Sequence, residues 1–142
     1  MHGCKGAVGV QVAQASGMGA RDFTDLAAWQ LADELRTLVI AITERPPARR
    51  DLKFCDQIRD AARSATNNIA EGFGRFRHRD FAHFLRIAVG SLHEVRDDLL
   101  HGHRCRYVTD EELAMGTSLS KRAVGAANGL IRYLMSNPDI PG

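Results

Sequence analysis

The chain has 142 residues, of which 44% are apolar and 25% charged, with a formal net charge of +2. These values fit one globular domain with a core of its own, and the charge is too small to identify a nucleic-acid partner by itself. No apolar run approaches the roughly 20 residues that a membrane span needs.

The basic residues are 16 arginines against 3 lysines. Arginine grips phosphate and carboxylate with a planar fork that lysine lacks, although a G+C-rich genome also favours arginine codons. Cys4, Cys55 and Cys105 are odd in number and far apart, with no CxxC pair. They read as free thiols in a reducing compartment, the cytoplasm, rather than as a disulfide framework or zinc site.

Residues 1–20, MHGCKGAVGVQVAQASGMGA, are small and rich in Gly and Ala. The piece AVGVQVA is too short and too broken by Gly and Gln for a signal-peptide core, so a flexible extension over 1–21 is expected. From Asp22 to Thr43, apolar residues at Phe23, Leu26, Trp29, Leu35, Leu38, Val39 and Ile42 recur at three and four, which predicts an amphipathic helix. Pro46 and Pro47 stop it. Asp51 then caps a second helix through Phe73, with Phe54, Ile58, Ala61, Ala62, Ala65 and Ile69 on its stripe. Gly72 and Gly74 are expected to end it through the left-handed conformation glycine tolerates.

A third helix is predicted from a cap at Asp80 to about Arg104, on Phe81, Phe84, Leu85, Ala88, Leu92, Val95 and Leu99. Gly90 inside it costs about 1 kcal/mol relative to Ala, so a tight helix crossing is expected there. Thr109 and Glu112 form a capping box for a fourth helix that ends at Asn137–Pro138. With no period-two alternation and short connections, residues 22–135 read as an all-α, antiparallel, up-down-up-down four-helix bundle, followed by a tail over 136–142.

A di-iron bundle needs inward glutamates and paired Glu-x-x-His motifs, and the nearest match is Asp98-x-x-His101 alone. His101, His103 and Cys105 would fan out around a helix rather than converge. No phosphate-binding glycine loop, nucleophile elbow or HExxH stretch is present, so the expectation is a non-enzyme with no cofactor and no metal.

Two sets of residues remain. Asn68 and Glu71 share one helix face, and Ser91 and Glu94 share a face of the next helix. Unpaired buried polar groups cost about 1–3 kcal/mol each, so these four read as a structural network setting the register of helices two and three, with a ligand site as the alternative. The second set is the corner RFRHR, with Arg75, Arg77 and Arg79 around Phe76. Its guanidinium groups could neutralise phosphates while Phe76 stacks on a base. It could equally be an exposed corner whose cations complement the negative end of helix two. Arg59, Arg63, Arg86, Arg96, Arg104 and Arg106 would extend the basic surface along the two helices, interrupted by Asp60, Asp97 and Asp98.

Four stretches, FTDLAAWQLADEL (Phe23–Leu35), QIRDAARSATNNIAEGFGR (Gln57–Arg75), FLRIAVGSLHEVRDDL (Phe84–Leu99) and YVTDEE (Tyr107–Glu112), together resemble the bacterial four-helix-bundle proteins known as the 23S rRNA intervening-sequence protein family. The resemblance covers about residues 22–135. It implies a homo-oligomer, a pentameric ring, without catalytic residues. It also implies binding of RNA or DNA, or service as an accessory subunit of a reverse transcriptase; the basic corner read above, Arg75, Phe76, Arg77 and Arg79, with Arg63 and Arg86, would supply the contacts. The alternative is a protein-interaction scaffold. Three positions depart from the family pattern: Asp60 stands where relatives tend to be basic, Thr66 near a usual proline, and Pro46 near a usual aromatic.

Overall fold

The computed structural model describes residues 19–139. Four helices account for most of them: α1 (Ala27–Thr43), α2 (Leu52–Phe73), α3 (His78–Arg104) and α4 (Asp110–Ser136). Two short 3-10 turns, Phe23–Asp25 and Ala48–Arg50, precede α1 and α2, and no strand occurs among the described residues. Most of the expected extension, residues 1–18, and the end of the tail, 140–142, lie outside the described residues. No helix among the described residues is long and apolar enough to cross a membrane.

The apolar stripes meet in one core. Leu35, Val39 and Ile42 of α1, Ile58 and Ile69 of α2, Leu85, Leu92, Val95 and Leu99 of α3, and Leu134 of α4 are all fully buried. Each such side chain contributes about 1.5–3 kcal/mol relative to exposure. Each helix packs chiefly on two others, α1 on α2 and α4, α3 on α2 and α4. Buried alanines (Ala28, Ala32, Ala61, Ala62, Ala65, Ala88, Ala123, Ala127) let the axes come close.

Helix ends explain where the structure departs from the expected boundaries. Asp51 caps α2 by accepting from the Phe54 N–H at 3.1 Å. Thr109 and Glu112 form the capping box of α4. The first helix, however, does not run from Asp22. The Asp25 carboxylate accepts from the Arg21 and Asp22 N–H groups, at 3.0 and 3.2 Å, and closes a separate turn. Leu26 is then extended and buried, and α1 starts at Ala27.

The third helix starts at His78, not at a cap on Asp80, which lies in its first turn. Its acceptor comes from the far end of the chain: both Asp139 carboxylate oxygens lie 3.1 Å from the His78 N–H. His78 Nδ1 also lies 2.5 Å from the Asn137 carbonyl oxygen.

The glycines also differ from expectation. Gly74 closes α2 in the right-handed region, φ −76° and ψ −6°, so no left-handed stop is used. Gly72 is needed for space: a Cβ there would stand 2.8 Å from Phe81 Cδ1 and 3.0 Å from Phe84 Cβ. Gly90 is exposed with nothing within 4 Å of where its Cβ would be, so it marks no crossing. The close approaches sit at Gly72, at Gly102 against Phe54 and Val108, and at Gly116 against Leu99.

Candidate nucleic-acid interface

The end of α2, residues 74–77 and the start of α3 form one corner of the molecule. Because Gly72 lets Phe81 and Phe84 press against α2, the connection is only four residues long and its side chains are forced outward. Phe76 is 96% exposed, a large aromatic with no packing role. Arg77, next to it, and Arg79, three residues on, are exposed and make no ion pair or hydrogen bond with their side chains among the described residues.

Arg75 is held differently. Its Nη2 donates to Glu71 Oε2 at 2.8 Å, and its guanidinium carbon lies 4.7 Å from the centre of the Phe84 ring. It is thus oriented, with its charge partly answered by Glu71. His78 is turned inward to Asn137 and Asp139. Among the described residues the corner's free cations are therefore Arg77, directly after Phe76, and Arg79.

The other two expected contacts lie elsewhere. Arg86 is exposed on α3, about 10 Å along the axis from Arg79 at 1.5 Å per residue. Arg63 lies on the side of α2 that faces α1, where it lines a groove with Arg36 and Arg59. Arg36 could not be singled out from sequence, since the arginines beside it in the groove belong to another helix.

The expected polar network is smaller than the set of four. Ser64 Oγ and Ser91 Oγ are 2.7 Å apart, and Asn68 Nδ2 donates to the Ser64 carbonyl at 2.8 Å and to its hydroxyl at 3.1 Å. Glu71 stands outside it, paired with Arg75, and Glu94 is exposed without a side-chain hydrogen-bond partner among the described residues. Ser64 is the bridging residue. Its signal was its position four residues before Asn68 on the same face.

One turn beyond Glu94, burial pushes the Asp98 carboxyl up to about 6, helped by the neighbouring charges of Glu94 and Asp97 and opposed by His101. Its Oδ2 and the Nε of Arg96 are buried without a hydrogen-bond partner among the described residues. At the end of α3, Cys105 Sγ lies 3.5 Å from His101 Nε2, so these two, four residues apart, come together rather than fan out, while His103 turns away and its Nε2 is bonded to Asp110 at 2.6 Å. A separate groove of 360 Å³ between α1 and α4 is lined by Leu26, Ala28, Leu31, Gly125, Ala126 and Leu130, with Arg122 and Arg132 also lining it.

Residues 24–126, from the first 3-10 turn to well inside α4, match the family described as 23S rRNA-intervening sequence protein. None of the curated proteins matches the chain.

Proposed function

The chain belongs to the 23S rRNA-intervening sequence protein family, and from that premise we propose that it is a non-enzymatic, oligomeric helical bundle that binds RNA through the α2–α3 corner. The single observation that carries this reading is Phe76, 96% exposed between Arg77 and the oriented Arg75. An exposed aromatic beside a free guanidinium group and an oriented one suits stacking on an unpaired base and neutralising its phosphates. The family's name, which refers to ribosomal RNA, agrees with that chemistry.

The same proposal extends to the assembly. The helices are read as antiparallel, up-down-up-down, which is supported by Gly72 near the end of α2 meeting Phe81 at the start of α3, and by Phe54 at the start of α2 meeting Gly102 near the end of α3. A pentameric ring would repeat the corner five times and raise affinity for a long RNA by avidity. Such a ring suits an accessory subunit that holds RNA for a cytoplasmic reverse transcriptase.

Gel-shift titration with a structured RNA tests the reading. Binding should be abolished or strongly weakened by Arg75→Ala, Arg77→Ala and Arg79→Ala combined. Binding that is absent from the wild type, or indifferent to these changes, rejects it.

A second reading, a protein-interaction scaffold, is favoured by the apolar α1–α4 groove. It predicts that a protein partner is recovered from extract after nuclease treatment.

A further inference from the structure

Between α1 and α2 lies a groove of 220 Å³ lined by Arg36, Val39, Ile40, Arg59, Asp60 and Arg63. We infer that this groove is a phosphate-binding site, with the Arg59 guanidinium as its oriented fork and Arg36 and Arg63 as flanking cations.

The orientation of Arg59 comes from Thr43. Thr43 is 3% exposed, and its hydroxyl donates to the Val39 carbonyl at 2.8 Å. With its proton so engaged, Thr43 Oγ1 accepts from Arg59 Nε at 2.7 Å. This bond uses the one donor on the inner edge of the guanidinium. The two terminal Nη groups have no acceptor among the described residues, and a fork of this kind is the part of arginine that matches two oxygens of a phosphate. Arg36 and Arg63 also make no hydrogen bond or ion pair with their side chains among the described residues.

Asp60 is the lone carboxylate of the lining and is within ion-pairing distance of none of the three arginines. Three like charges thus share a small groove with one opposing charge, a repulsive arrangement that an arriving anion relieves. Val39 is fully buried and Ile40 partly exposed, so the cations stand beside apolar surface, where water screens them less. A tetrahedral phosphate, carrying up to two charges and several acceptor oxygens, answers three guanidinium groups better than a single carboxylate does.

The phosphate could belong to a nucleic-acid backbone or to a small phosphorylated molecule. The first source rests on the RNA reading above, while the phosphate chemistry itself does not. Two probes separate them: inorganic tripolyphosphate, followed by calorimetry, and a short labelled single-stranded RNA, followed by fluorescence anisotropy. Arg59→Lys keeps the charge but loses both the fork and the Thr43 bond. It should weaken tripolyphosphate binding about tenfold or more, as should Arg36→Gln. Asp60→Asn should strengthen binding, a gain that a merely structural role for these residues would not produce. Arg122→Gln, on the α1–α4 side, should change nothing.

A parallel loss for RNA assigns the site to the nucleic-acid backbone. A loss for tripolyphosphate alone assigns it to a small phosphorylated ligand. If wild-type protein fails to bind RNA yet loses tripolyphosphate on Arg59→Lys, the RNA reading falls and the groove stands. Absence of tripolyphosphate binding to the wild type at low salt overturns the site. So does unchanged binding in a folded Arg36→Gln, Arg59→Gln, Arg63→Gln triple variant.

Discussion

The Arg45 guanidinium grips both carboxylate oxygens of Glu112, Nη1 to Oε2 at 2.6 Å and Nη2 to Oε1 at 2.5 Å. Arg45 follows α1 and Glu112 sits in the first turn of α4, so the pair fastens the α1–α2 connection to the helix that comes last in the chain. Glu112 also closes the Thr109 capping box, and Arg45 reaches the Tyr107 carbonyl at 3.0 Å. One carboxylate therefore serves a local cap and a contact 67 residues away in sequence.

Loss of that carboxylate's charge should be felt in stability. Hydrogen bonding to Arg45 holds the Glu112 carboxyl below its ordinary value of 4.5. A depressed acid stabilises the fold above its unfolded pKa, and that contribution is lost as pH falls through the folded value. Glu112→Gln should cost about 1–2 kcal/mol at neutral pH, given that Arg45 is partly solvated. The wild type and variant should converge well below pH 4.5, which thermal melts across the acid range would check.

Asp98 should behave in the opposite sense. Its carboxyl is raised to about 6 chiefly by burial, so its ionisation opposes folding. The stability it permits is full below the unfolded value of 3.8 and declines as pH rises through about 6. Asp98→Asn should stabilise the protein by about 1–2 kcal/mol at neutral pH, a value reduced from the full shift because the site is partly open to water. The gain should vanish near pH 4, as measured by denaturant titrations at several pH values.

The two glycines should respond with opposite signs. Gly72→Ala places a methyl against Phe81 and its carbonyl, and should cost about 1–3 kcal/mol through overpacking. Gly90→Ala meets open space on a helix surface and should gain about 1 kcal/mol. Chemical denaturation of both variants tests the pair together. A destabilising Gly90→Ala would mean that this face is covered in the assembled protein.

These cases show which parts of the structure were legible in the sequence. The helix bodies were, because apolar spacing of three and four has no other reading over stretches this long. Local caps were legible as well, since Asp51 and the Thr109–Glu112 pair act within three residues of themselves. The start of α3 was not, because its acceptor, Asp139, lies 61 residues from His78. The role of Gly90 was misjudged since sequence alone does not say which side of a helix another helix covers.

For the candidate site, the exposed cluster around Phe76 could be read directly from one short segment. Ser64 in the polar network had only its place on the face of Asn68 as a signal, and Arg36 in the α1–α2 groove had none. Each matters because of a residue on another helix. The Asn68–Ser64–Ser91 bonds needed the pairing of α2 with α3, and the Arg59–Thr43 bond needed that of α2 with α1.

The salt dependence of RNA binding tests the central claim most directly. Association constants for a structured RNA should be measured over a range of salt concentrations for the wild type, for Arg77→Ala with Arg79→Ala, and for Phe76→Ala. Wild-type binding should weaken steeply with salt, and the double variant should flatten the log–log slope by about 1.5–2, one phosphate contact per arginine. Phe76→Ala should lower affinity by about 1–3 kcal/mol per stacked base without altering the slope. A slope unchanged by removing Arg77 and Arg79, or no binding by the wild type at low salt, would contradict the assignment of this corner to RNA.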